Sequence, residues 1–217
     1  MIQKLHKLKQ RKGFTLVELI VVIAIVGILA AILVPLMIGN VTNAQVMSAN
    51  STAASLKNAV DNFMTQADSE GYGMLRASDN ICKMNITIVN KNWTVNRTGG
   101  DFNTNGVVQW AADGNGSGVM GQDKSSAANC ESLLAITLTD LFPEVVNGTF
   151  FISVCGGKCV AVAYCRERLA DLVEGTDYPT LQSDGSFPST YVWNGVTAGI
   201  SPNGEIIGTS PIVSLGS

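Results

Sequence analysis

A chain of 217 residues with 14 basic and 17 acidic side chains, a formal net charge of −3 and a single histidine is poor material for two broad functional classes. An acidic balance repels phosphate, which argues against a nucleic-acid surface. The one histidine is His6, so everything downstream lacks the residue on which Ser-His-Asp and Cys-His mechanisms depend, and lacks the commonest metal ligand.

The first element is a basic leader. Lys4, Lys7, Lys9, Arg11 and Lys12 stand there with no acid among them, a bias that holds this end in the cytoplasm and sends the rest across a membrane. Counted from Phe14 onward, the sequence carries nine basic against 17 acidic side chains, a net charge of −8. DNA capture by such a body would need a local basic spot that the sequence does not display.

Next comes an uncharged run from Leu19 to Ile38, built only of Val, Ile, Leu, Ala, Met, one Gly and one Pro. About 20 such residues span the hydrocarbon core of a bilayer, so the run reads as a membrane helix. An ordinary secretory signal has a shorter apolar stretch of roughly 7–15 residues and ends at a small-x-small site. This run passes through Val34-Pro35-Leu36 without one. A plain single-pass anchor fits the hydropathy but leaves Gly13-Phe14 and Glu18 unexplained. A carboxylate near membrane depth costs on the order of 2.5–3.5 kcal/mol when central and less near an interface, so Glu18 calls for a partner.

Past Ile38 the helix is expected to continue and to become one-sided. Ala49, Ala53, Leu56, Val60, Phe63, Met64 and Ala67 recur at spacings of three and four, which places them on one face. Gly71 and Gly73 then end it. A helix from about Thr15 to Gln66 would be roughly 75–80 Å long at 1.5 Å per residue. Pro35 and Gly39 weaken its middle, because proline removes a backbone donor and glycine adds freedom.

The remainder reads as short strands separated by turns. Candidates are Met84–Val89, Asn92–Val95, Val107–Trp110, Phe150–Val154 and Val160–Tyr164. Asn194-Gly195 and Asn203-Gly204 are two-residue hairpin signals, which suggest a closing antiparallel meander through Thr190–Trp193, Val196–Ala198 and Glu205–Ile207. A second helix is expected from about Ala127 to Leu141, where Leu133, Leu134, Leu138 and Leu141 form an apolar core stripe that Phe142-Pro143 stops. The resulting layout is a leader over 1–13, a long helix over 14–70 with its transmembrane half at 14–40, and an exported α+β domain over 71–217, whose sheet is antiparallel.

Five cysteines, Cys82, Cys130, Cys155, Cys159 and Cys165, lie on the exported side, where disulfides persist. Two bridges among five cysteines allow 15 pairings, and the pairing is open. Cys155 and Cys159 return near Cys130 if the strand Phe150–Val154 runs back along the helix before it. Cys155-Gly-Gly-Lys-Cys159 is similar to a metal knuckle, but one short pair without histidine is better read as a hairpin disulfide or two structural thiols. Asp113-Gly114-Asn115-Gly116-Ser117-Gly118 begins like a calcium loop, yet Lys124 stands where the bidentate Glu belongs. No metal or cofactor is therefore expected. Asn85, Asn92 and Asn96 each open a match to the glycosylation acceptor pattern, which is short and common in Asn/Thr-rich loops.

Gly13-Phe14-Thr15-Leu16-Val17-Glu18, set between the basic leader and the apolar run, resembles the class III signal of type IV pilins and their relatives. The resemblance covers Lys12 to about Val41. It implies that prepilin peptidase cuts between Gly13 and Phe14 and methylates the Phe14 amine, and that Glu18 faces the Phe14 amine of a neighbouring subunit during assembly. Pro35 would mark where the helix can melt on packing into a filament. Cys130-Glu131-Ser132-Leu133 followed by Asp140-Leu141-Phe142-Pro143 is similar to the cysteine-bearing helix of the larger type IVb pilins, whereas the short leader and Phe14 look like type IVa.

What the resemblance implies is a non-enzymatic structural subunit of a filament serving adhesion, motility, aggregation or uptake. Its partners would be copies of itself, other pilins, the prepilin peptidase, an assembly platform and an ATPase, with the membrane before assembly and the cell surface after it. A type II secretion pseudopilin shares this N-terminus, although a mature chain of 204 residues with five cysteines departs from the small major pseudopilins. A membrane-anchored exported enzyme is the rival of a different class, and the missing histidine argues against it.

Overall fold

The computed structural model describes residues 13–69, 81–99, 134, 137, 138, 140–193 and 198–216. It divides into two compact units, residues 1–43 and 44–217. The fold is α+β, with one long N-terminal helix and a five-stranded antiparallel sheet.

The helix α1 runs unbroken over Leu16–Ser69 and passes through Pro35. In the first unit its side chains from Leu16 to Val41 are exposed, and α1 is long and apolar enough to cross a membrane. In the second unit the spacing of three and four has its expected result. Ala49, Ala53, Leu56, Val60, Phe63 and Met64 are buried, joined by Val46 and Ala59. The side chain of Ala67 lies outside the described residues.

The sheet is built from β1 (Ile81–Val89), β2 (Asn92–Gly99), β3 (Gly148–Cys155), β4 (Lys158–Cys165) and β6 (Ile207–Ser210), in the order β2-β1-β3-β4-β6. Two short strands, β5 (Thr190–Tyr191) and β7 (Ser214–Leu215), pair apart from it. Alternation divides the strands cleanly. Met84, Ile86 and Ile88 of β1, Phe150 and Ile152 of β3, and Val162 and Tyr164 of β4 pack with the buried face of α1. Phe151, Ala161, Ala163 and Cys165 point to the opposite face.

That opposite face is covered by chain with little regular structure. Leu172, Tyr178, Phe187, Trp193 and Val213 form a second core with it, and Phe151 stacks on Tyr178 at 4.2 Å between ring centroids. The polar side chains of β1 on this face are matched one by one. Lys83 donates to Glu174 at 2.9 Å, Asn85 exchanges two hydrogen bonds with the backbone of Leu172, and Thr87 donates to Asp171. A buried amide so engaged is closed to modification, which removes Asn85 from the three acceptor matches. Arg168 gathers the same layer by donating to Asp177 at 2.8 Å and to Glu205 at 2.7 Å.

Four of the expected strands are present, at 81–89, 92–99, 148–155 and 158–165, while Val107–Trp110 lies outside the described residues. Two expectations are corrected. Among the described residues the closing strands do not form a meander, because β5 pairs parallel with β7 and β6 pairs with β4. The turn at Asn203-Gly204 does exist, with Gly204 at φ 82° and Ser201 accepting from Gly204, but it closes an isolated bridge between Ile200 and Ile206. Residues 194–197 are outside the described set. In the second helix, residues 134, 137, 138, 140 and 141 are helical, and Leu134 and Leu138 are fully buried. Leu141, however, is exposed, because the helix ends there and Phe142 packs against the core instead.

Candidate functional site: the first turn of the N-terminal helix

Gly13, Phe14 and Thr15 precede the helix in non-helical chain, and Phe14 is 86% exposed. Among the described residues a β-carbon placed on Gly13 would meet nothing within 4 Å, so none of them demands glycine there. The helix begins at Leu16, and Leu19 N donates to Thr15 O to close its first turn.

Thr15 and Glu18 start that helix together. Glu18 Oε2 accepts from Thr15 N at 2.9 Å and from Thr15 Oγ1 at 2.8 Å, while Thr15 Oγ1 accepts from Glu18 N at 3.2 Å. This is a capping box, in which an N-cap hydroxyl and an acid three residues on satisfy each other's backbone donors. It answers the question that Glu18 poses in the sequence, since the first partner of its carboxylate is its own helix terminus. The signal was present as Thr-x-x-Glu before an apolar run, and Thr15 is the residue that reading the string as a motif passed over.

Pro35 lies inside the same helix, with Gly27 and Gly39 on either side, both with open space around the Cα. The backbone donor that Pro35 lacks is missing from an unbroken helix. Further on, Thr42 Oγ1 donates back to Ile38 O at 3.1 Å, a side-chain bond that loosens helical backbone.

The cysteines are distributed over the sheet. Cys82 of β1 and Cys159 of β4 both stand opposite Val154 of β3, on the face toward α1. Cys155 is one residue past Val154 and so points to the other face, and Cys165 lies at the far end of β4 in the second core. Cys155, Cys159 and Cys165 are thiols, and Cys130 lies outside the described residues. The turn between Cys155 and Cys159 has Gly156 and Gly157 at φ 57° and 73°, a two-residue hairpin whose left-handed conformation glycine favours. Burial pushes the Cys159 thiol up, and the carboxylate of Asp61 adds to the shift; that same Asp61 accepts from Cys159 N at 2.7 Å. Burial raises Cys165 as well. Thiols held protonated in this way are weak nucleophiles. The calcium-like stretch from Asp113 to Gly118 is outside the described residues.

Residues 8–34 match the family described as the prokaryotic N-terminal methylation motif. The chain is 41% identical over 63 residues to type II secretion system core protein G of Escherichia coli strain K12, covering 29% of this chain and 42% of that one. It is 46% identical over 59 residues to a fimbrial protein of Pseudomonas aeruginosa, covering 27% and 38%, and 50% identical over 50 residues to one of Moraxella nonliquefaciens, covering 23% and 32%. The chain thus spans about two fifths or less of the length of these curated relatives. No solved structure matches it. At its N-terminus the chain carries the prokaryotic N-terminal methylation motif, and over part of its length it is similar to fimbrial proteins and to type II secretion system core protein G.

Proposed function

We propose that this chain is a structural subunit of a type IV pilus-like filament. The observation that supports it best is the pairing of a non-helical Gly13-Phe14 bond with a long apolar helix whose surface from Leu16 to Val41 is exposed, inside the methylation motif. A protein leaves so much apolar surface uncovered when lipid or another protein is to cover it. In this reading prepilin peptidase removes residues 1–13 and methylates Phe14, and the subunit waits in the membrane with its leader side in the cytoplasm. An assembly platform and ATPase then stack the apolar helices into a fibre core. Apolar burial contributes about 25 cal/mol per Å² against water, but here it largely replaces lipid contact, so helix packing and specific polar pairs must supply the net gain. Glu18 is the polar group placed to do so, and its carboxylate compensates the Phe14 amine of the neighbouring subunit. The filament then serves adhesion, motility, aggregation or uptake.

The similarity to core protein G favours a second reading, a pseudopilus subunit of a type II secretion system. A mass-spectrometric inventory of filaments sheared from the cell surface tests both. A pilin is abundant there and begins at methylated Phe14. A chain absent from the filaments, whose deletion abolishes protein secretion, is a pseudopilin.

A further inference from the structure

We infer that Thr15 is a positioning residue for assembly: its side chain holds the Glu18 carboxylate in the orientation in which it meets an incoming subunit. The inference rests on the assembly role proposed for Glu18.

Glu18 is exposed, and among the described residues the cap is the contact that fixes it. Both arms of the cap end on Oε2, at 2.9 Å from Thr15 N and 2.8 Å from Thr15 Oγ1. A glutamate side chain released from such bonds samples many rotamers, and each one lost on docking costs entropy at the moment of assembly. The hydroxyl of Thr15 does two things at once, donating to the carboxylate and accepting from Glu18 N at 3.2 Å. Serine can do the same, and valine, of nearly the same shape as threonine, can do neither. An ionised carboxylate offers about four acceptor sites. Thr15 fills two of them, so the capped Glu18 is oriented and still able to take a cation. Both residues lie on the C-terminal side of the Gly13-Phe14 bond, so the cap survives removal of the leader.

The test uses the full-length chain in cells that carry a complete assembly system, with the variants Thr15→Val, Thr15→Ser, Glu18→Val and the Thr15→Val/Glu18→Val double. Three quantities are read for each: the mature N-terminus by mass, the level of subunit in the membrane, and the yield of surface filaments. Thr15→Val should be cut at the same bond and accumulate in the membrane like wild type, with filament yield down about five- to tenfold, the size of a lost N-cap. Thr15→Ser should restore the yield. The double variant should be no worse than Glu18→Val alone, because Thr15 acts through Glu18. Wild-type yield from Thr15→Val, equal loss in the serine variant, or a double variant well below Glu18→Val would each overturn the positioning role while leaving the assembly role of Glu18 intact. Wild-type yield from Glu18→Val would overturn the assembly role itself, and the inference with it.

Discussion

Gly208 of β6 lies directly against the backbone of Ala49 on α1, so closely that a β-carbon on it would stand 2.1 Å from both the carbonyl carbon and the carbonyl oxygen of Ala49. The next residue ties the same two elements together, with Thr209 N donating to Asn50 Oδ1 at 2.7 Å. Further along, Asp61 of α1 accepts from Cys159 N of β4. The helix therefore meets the sheet through backbone as well as through its apolar stripe.

Gly208→Ala should accordingly destabilise the chain by about 3 kcal/mol, the upper end of the usual cost of overpacking, because the atoms it strikes are backbone and cannot swing aside. Thermal unfolding of the full-length protein in detergent, followed by circular dichroism, checks this. An unchanged midpoint would mean that α1 does not approach β6 in this way.

The ion pair of Lys83 and Glu174 gives the outer layer a pH dependence. Burial pushes the Glu174 carboxyl up, but the Lys83 ammonium and Leu181 N, which donates at 2.9 Å, outweigh it and hold the group below its ordinary 4.5. A folded-state value below the unfolded one means that the pair stabilises above pH 4.5 and that this contribution is lost as the pH falls through the folded value. Glu174→Gln should therefore lower stability at neutral pH and flatten the acid limb of the unfolding curve. Parallel acid titrations of the two proteins compare the slopes, and identical slopes would show that the pair contributes nothing.

How legible all this was in the sequence depends on periodicity. The buried face of α1 and the strands β1, β3 and β4 were readable because Ala53, Leu56 and Val60 recur with the helical period, and Met84, Ile86 and Ile88 with the strand period. The layer around Leu172, Tyr178, Phe187 and Trp193 has no period. It is held by side chains bonding to backbone over long separations, such as Asn85 to Leu172, and local spacing carries no trace of that. The β5–β7 pair joins residues 190 and 214 in parallel, a pairing that no turn signal announces. At the N-terminus, Glu18 stood out as a charge in an apolar setting, whereas Thr15 was hidden because a hydroxyl in that setting looks unremarkable until its bonds are drawn.

Gly13→Val tests the processing site separately from folding. Because the space around Gly13 is open, valine should leave the fold and its unfolding midpoint untouched, and any effect must arise in the peptidase. The expected outcome is full-length precursor in the membrane, a fall of at least tenfold in the cut form, and no filaments. Immunoblots that separate precursor from mature chain read the ratio. Normal maturation would place the cut elsewhere.

The last prediction concerns the thiols. Cys82 and Cys159 share a face but stand on either side of Val154, and two strand spacings put their Cα atoms about 9–10 Å apart. Bridging requires less than about 7 Å. Cys155 is diagonal to both, yet points to the opposite face, so its Cβ is directed away from theirs. Cys165 lies at the other end of β4 from Cys159, six residues along at about 3.3 Å each. In this register no two of these four cysteines are placed to join within one chain, so we expect any intramolecular disulfide to use Cys130. The exported, denatured but unreduced protein should show at least three free thiols when alkylated and weighed. Cys130→Ser should then raise the count to four if a bridge exists, and should lower stability by about 2–5 kcal/mol as a lost native disulfide does. A single free thiol in the wild-type chain would require two bridges, and hence a register for β1, β3 and β4 different from the one described.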